Sequence, residues 1–263
     1  MENSLAKTLN DLQPILIVTA MILYGMLETF LPVVQATPSR GRHVRRNLAL
    51  GVVSFGIFGV TGLLTTFIMQ WAEMHRFGLL HNLPLNPYLK VALGIPLLDL
   101  ASYTFHRVWH RVPWLWRLHR VHHNDPTPDV TTSLRFHPLD LLLQFPIQAV
   151  ALGALGLPLL SAALYYTILL PLIFSQHANV RWPSGLDRFL RVFISSPAYH
   201  RMHHSSVQSE TDGNFADLFP LWDRLFGTYR EPREVRQVRY GLEGFDTEEA
   251  HAFGAVMLSP FRS

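Results

Sequence analysis

Cysteine is missing from all 263 residues, which removes disulfides, thiolate zinc sites, iron–sulfur clusters and thiol nucleophiles together. Charge is scarce as well: Asp, Glu, Lys and Arg make up 16% of the chain, against about a quarter in ordinary soluble domains. Lysine is confined to Lys7 and Lys90, so the net charge of +3 rests on arginine. A nucleic-acid binder would gather such charge on a soluble basic face with exposed aromatics. Here the arginines lie between long apolar runs, which turns the reading toward a membrane and away from nucleic acid. Glu2, Asn3 and Asp11 precede the first run, and no small-residue cleavage site follows it, so a cleaved signal peptide is not expected.

Apolar residues are what the chain has in excess, at 49%. Residues 14–35 are interrupted only by Glu28, and residues 47–72 carry no formal charge. Both are long enough to span a bilayer. Residues 86–105 form a weaker third candidate, with Pro96 and Asp99 inside it. Residues 141–176 hold no charged side chain, and Gly156-Leu157-Pro158 breaks them into the two arms of a tight helical hairpin. The fold expected is all-α, a polytopic membrane helical bundle of about four to five spans. Three segments are expected: N-terminal membrane helices over 1–90, a catalytic domain over 91–230 that includes the hairpin, and a tail over 231–263.

Arginine placement predicts orientation, because basic residues accumulate on cytoplasmic loops. Arg40, Arg42, Arg45 and Arg46 lie between the first two runs, five arginines precede the hairpin, and ten follow residue 176. With the N-terminus outside and the C-terminus inside, all of these fall on the cytoplasmic side. So do the histidine-rich stretches, which then form a cytoplasmic helical cap. The membrane is read as bacterial plasma membrane or endoplasmic reticulum.

Histidine is the other excess, with 14 copies. His106–His110 reads HxxxH, and both His119–His123 and His200–His204 read HxxHH. Residues three or four apart share a helix face, so each box directs two or three imidazoles into one space. Neutral imidazole is a ligand for iron, zinc or copper. His137, in Arg-Phe-His-Pro, and His177, in Gln-His-Ala-Asn, fall on the same side and bring the set to ten, enough for two metals. A four-coordinate catalytic zinc keeps about three protein ligands and has a carboxylate base nearby, as in HExxH. No HExxH occurs here. A non-enzymatic membrane metal carrier or sensor is the reading from another class, although it would place histidines along the spans themselves.

Asp99, Tyr103, His106 and His110 form one stripe of a continuing helix. An acid in a membrane helix is costly, and Asp99 is suited to hold a ligand's second ring nitrogen. Asn179 and Asn214, and further Asn124, Asp125 and Asp212, follow histidine motifs closely and are weaker candidates for the same role, with turn and capping duty as the plainer use. Glu28 either lines a substrate cavity or pairs with an arginine. Trp109, Trp114, Trp116 and Trp182 suit an interfacial aromatic belt. His75 and His81 read as interfacial on the far side, and His43 and His251 as surface residues.

Asp99, HRVWH, HRVHH, RFHP, the apolar hairpin, QHAN, SPAYHRMHH, Asn214 and WDRLFGT occur in an order that resembles the fatty acid hydroxylase/sterol desaturase superfamily. The likeness covers residues 95–230, about half the chain. It implies a membrane enzyme whose ten histidines hold a non-haem di-iron centre, with O2 as co-substrate and a lipid-like substrate. Hydroxylation of a C–H bond is the first expectation, and desaturation of the same lipid class the alternative. Asn214-Phe-Ala-Asp departs from the Asn-Tyr-Gly of many relatives, outside the ligands. With no flavin or dinucleotide fingerprint and no fused haem domain, electrons are expected from a separate ferredoxin or cytochrome with its reductase.

Overall fold

The computed structural model describes residues 2–35 and 39–262. Among them the architecture is helical, and the sole extended pairing is an isolated bridge between Pro32 and Val180. The helices in order are α1 Glu2–Phe30, α2 Arg40–Met74, the single turn α3 Leu79–Asn82, α4 Pro87–Arg111, α5 Pro113–His123, α6 Pro138–Leu155 and α7 Leu159–His177. There follow α8 Ser184–Leu190, α9 Pro197–His203, α10 Gln208–Thr211, α11 Leu221–Leu225 and α12 Phe253–Leu258.

Four helical stretches, containing α1, α2 with α3, α6 and α7, are long and apolar enough to cross a membrane. The chain is an integral membrane protein. α1 packs along α7 and α2 along α6. Outward faces carry Ile15, Ile22, Phe30, Val52, Val60, Leu63, Phe67 and Val150, all exposed. In water so continuous an apolar surface would drive association; in lipid it is simply solvated. α4, the third candidate from the sequence, is not among the four, since Lys90, Asp99 and the basic run from His106 dilute it. It nevertheless packs along α6 and α7. Its start lies at the far end, where Lys90 donates to the His81 carbonyl at 3.2 Å, and its end holds His106 and His110.

Local chemistry sets the boundaries. Asn86 caps α4 by accepting the Leu89 N–H at 2.8 Å, with Pro87 as the first helical residue. Pro113 restarts the chain as α5 after a bend at Val112. α6 stops at Gly156, whose φ of 64° admits the left-handed turn. The Gly156 and Leu157 N–H groups donate to Gly153 and Leu152 at 2.9 and 3.2 Å. The hairpin break therefore falls where the sequence places it. Gly78, with φ 101°, lies against the Gly156 backbone so closely that a β-carbon would collide with it. Gly78→Ala is expected to destabilise the far-end contact by about 1–3 kcal/mol from backbone strain alone, read as a lower melting temperature in detergent.

All segments that bear the histidine boxes gather at the opposite end. There the C-terminal region is strapped across: Arg42 and Arg46 pair with Glu248 at 3.2 and 3.0 Å, and Arg120 donates to the Ser259 carbonyl at 2.7 Å. Glu28, buried near the end of α1, pairs with Arg40 at 2.7 Å and accepts the Val130 and Asn179 N–H groups at 2.6 and 2.8 Å. The arginine-pairing use of Glu28 is thus the one observed.

Candidate metal centre

Helix geometry presents the imidazoles. α4 ends with His106 and His110 one turn apart, α5 carries His119, His122 and His123, α7 ends on His177, and α9 with its cap supplies His200, His203 and His204. These nine side chains form two groups. His106, His110, His119, His123 and His203 make one; His122, His177, His200 and His204 make the other. Within each group one ring nitrogen per residue lies within 4.8 Å of all the others. Each HxxHH box serves both groups. Its i and i+4 members go to one group, and its i+3 member, rotated round the helix, goes to the other.

In five of the nine the ring nitrogen turned outward is occupied, whereas Nδ1 of His110 and of His200 is buried with no hydrogen-bond partner. His106 and His203 donate Nδ1–H to the carbonyls of Phe215 and Gly213 at 2.8 Å, and His177 to that of Ile173 at 2.8 Å. His119 donates to Asp140 Oδ2 at 3.0 Å, and His122 to the Arg135 carbonyl at 3.3 Å. A proton on Nδ1 leaves a lone pair on Nε2. In the first group, Nε2 of His106, His110, His119, His123 and His203 is buried with no hydrogen-bond partner. In the second, the His177 Nε2 lies 3.1–3.2 Å from Nε2 of His122, His200 and His204. His177 and His122 both present lone pairs there, so hydrogen bonding does not satisfy the contact, whereas a shared cation does. Both groups therefore fit a metal ion, bound by nitrogen alone. Burial, followed by the neighbouring imidazoles, holds His122, His123, His200, His203 and His204 well below the usual histidine pKa. They are neutral, the form that ligates.

The tenth expected ligand, His137, stands apart from both groups. It caps α6 by accepting the Leu139 N–H at 3.2 Å, and its Nε2 pairs with the Met257 carbonyl at 3.1 Å. Its proline-flanked position at the start of α6 makes it a cap and a tether for the C-terminal strap.

The expected supporting residues are placed differently too. Asp99 makes no hydrogen bond to a grouped imidazole. It accepts from Tyr165 OH at 2.7 Å, from the Leu218 and Phe219 N–H groups at 3.1 and 2.9 Å, and from Trp222 Nε1 at 2.9 Å. It thereby fastens the 218–222 turn to α4 and α7. Asp99→Asn is expected to retain bound metal while lowering stability by about 1–3 kcal/mol, the cost of leaving buried donors unpaired, as read by metal analysis beside thermal unfolding. Asn179 brackets Val34 with both ends of its amide, at 3.1 and 2.7 Å. Asn214, at φ 55°, holds Arg230 N–H and the carbonyls of Tyr199 and Arg230. Neither contacts an imidazole of the two groups. Asn124 and Asp125 brace the buried Arg135 and Thr132 instead.

The carboxylate that does hold a grouped imidazole is Asp140, fully buried in the first turn of α6, which accepts from both His119 and Trp109 Nε1. Its sequence signal was there to read: a lone acid opening an otherwise uncharged run. Asp212 lies 3.7 Å from His110 Nδ1 and Asp217 4.0 Å from His106 Nδ1. Trp109 and Trp116 are packing partners of this region, with Trp116 centred 4.7 Å from the His110 ring, and do not form a belt. His43 and His251 are half-buried, not surface residues, because they cover the Asp125–Arg135 network. His43 lies 3.6 Å from Asp125, and His251 lies 3.3 Å from Arg135.

A family model described as fatty acid hydroxylase matches residues 91–228. The ornithine lipid hydroxylase OlsE of Rhizobium tropici is 30% identical over 172 residues, covering 65% of this chain and 50% of that protein. Human alkylglycerol monooxygenase is 30% identical over 179 residues, covering 68% and 38% respectively. Methylsterol monooxygenase 2-2 of Arabidopsis thaliana is 25% identical over 199 residues, covering 75% and 69%. The chain thus spans half or less of the first two relatives. No solved structure matches it.

Proposed function

The chain belongs to the fatty acid hydroxylase family, and on that premise we propose that it is an O2-dependent membrane oxidoreductase that hydroxylates a C–H bond of a lipid-like substrate. The observation that carries this is the pair of buried all-imidazole groups, five and four strong, with Nε2 lone pairs directed at two centres. The related proteins bear the names of hydroxylases and monooxygenases acting on ornithine lipid, alkylglycerol and methylsterol, which favours hydroxylation over desaturation.

The nine grouped histidines are the proposed ligands of two iron ions. When bound, the irons would supply the activation of O2 for the overall conversion R–H + O2 + 2e⁻ + 2H⁺ → R–OH + H2O. The rest falls to the chain. Asp140 and the Phe215 and Gly213 carbonyls hold ring protons on Nδ1, so the imidazole lone pairs stay aimed inward. The packed helices around the two groups exclude bulk water, and no side chain is needed as nucleophile. Electrons come from an external ferredoxin or cytochrome, consistent with a chain that has no cysteine. The histidine end faces the cytoplasm, supported by Arg40, Arg42 and Arg46 lying at that end.

The test is a comparison of total lipids from cells that express this protein or its His203→Ala variant, together with a reductase system. A lipid one oxygen heavier, present only with the intact protein, is expected. A lipid two hydrogens lighter would make it a desaturase. Unchanged lipids in several hosts, although the folded protein holds two irons, would remove the broad-lipid reading.

A further inference from the structure

A second chemically distinctive region lies outside the histidine groups, in a cavity of about 550 Å³ whose wall contains no histidine. It sits where two membrane helices end. Val33 follows α1, Arg181 and Trp182 follow α7, and the Pro32–Val180 bridge joins the two exits. The adjoining α8 and its continuation expose Leu186, Phe189, Val192 and Phe193 beside Arg188. Exposed apolar rings next to arginine, directly after a spanning helix, suit the depth at which acyl chains give way to headgroups.

From α9, Arg201 forms part of the wall. It is 3% exposed, and its Nη2 donates to the Ala178 carbonyl at 2.5 Å. Its Nε has no partner, the Tyr240 hydroxyl lies beside the guanidinium, and no carboxylate pairs with it among the described residues. The comparably buried Arg135 is provided for quite differently, by Asn47, Asn124 and the Val121 carbonyl, with Asp125 as a nearby counter-charge. A buried guanidinium without a counter-ion is costly and calls for an anion. Around the rim, Arg181, Arg188 and Arg236 make no side-chain hydrogen bond or ion pair with any described residue. Arg191 and Arg233 also line the cavity but are paired with Glu231 and Glu210 at 2.7 and 2.6 Å. Of the two acids on the wall, Asp187 already accepts the Ala198 N–H at 3.0 Å, and Glu234 is exposed. Positive charge remains in excess.

We propose that this cavity binds the phosphate of an anionic phospholipid headgroup. Arg201 supplies positive charge from its wall and Arg181, Arg188 and Arg236 donate from its rim, while the acyl chains lie along the exposed face of α8. The planar guanidinium fork matches phosphate oxygens in geometry, and basic pockets between membrane helices take such headgroups. The site is separate from the histidine groups and stands whatever reaction they perform.

The experiment uses the full chain, purified in detergent, with lipid retention measured by native mass spectrometry and titration. Phosphatidylglycerol is expected to bind about tenfold or more tightly than phosphatidylcholine, and the rim variant Arg188→Ala/Arg236→Ala to lose that preference. The variant's metal content and melting temperature in phosphatidylcholine should stay unchanged. The rim is chosen because both positions are exposed, whereas Arg201 is part of the packed interior. Equal retention of the two lipids, or a preference that survives in the rim variant, overturns the proposal. Inorganic phosphate binding as tightly as phosphatidylglycerol also overturns it, making the site one for free phosphate. So does an acidic protein that binds the rim while the anionic lipid does not.

Discussion

Replacing His203 or His204 with alanine is expected to lower product formation by at least about 100-fold and to remove about one metal per chain, since each deletes a nitrogen donor that the packed interior does not replace. His203 belongs to the five-membered group and His204 to the four-membered one, so the two variants deplete different centres. The residual metal should therefore be bound with different affinities, which elemental analysis after graded chelation resolves. His137→Ala provides the internal contrast. Its ring caps α6 and reaches the Met257 carbonyl, so both metals should remain while stability falls by about 1 kcal/mol, the ordinary cost of a lost cap. If His137→Ala lost metal as His203→Ala does, the ligand set would be ten and not nine.

The second large effect is expected at Asp140. It is fully buried and accepts from His119 Nδ1 and Trp109 Nε1 together. Asp140→Asn keeps the shape and one acceptor oxygen but removes the charge, and its amide N–H₂ turns toward one of the two donors. His119 then loses what holds its proton on Nδ1 and its lone pair inward. Metal affinity and turnover should fall by about 10–100-fold, the range typical of residues that orient a ligand histidine. Chelator competition checks the affinity, and far-UV circular dichroism shows whether the helices persist. Asp99→Asn should do the reverse, with metal kept and stability lost, because its four partners are a tyrosine, a tryptophan and two backbone amides of one turn. If both variants behaved alike, the assignment of Asp140 to the ligand and Asp99 to the scaffold would be wrong.

Two acids in apolar surroundings thus looked alike in the sequence and were told apart by packing. Asp99 shares a helical stripe with His106 and His110, and within one helix that stripe is a sound reason to connect them. Asp140 lies 21 positions beyond His119, and only the approach of α6 to α5 brings them together. The same holds for Trp109. Its place near a membrane boundary suited an interfacial belt, but the helix rotation that turns His106 and His110 inward also buries the indole against Asp140.

What the sequence by itself determined is what acts within one element. Apolar runs and scarce charge required membrane helices. Gly156 set the hairpin break, since a left-handed turn is cheap for glycine alone. The three boxes marked eight of the nine grouped imidazoles, since spacing of three and four residues fixes a shared helix face, and the apolar run ending at His177 supplied the ninth. The tertiary structure alone decided how the boxes divide between the two groups, that His137 belongs to neither, and which acid orients a grouped imidazole. Those outcomes depend on how α4, α5, α6, α7 and α9 are rotated and brought together. Such rotations follow from side-chain packing between segments distant in the chain, which no local spacing encodes.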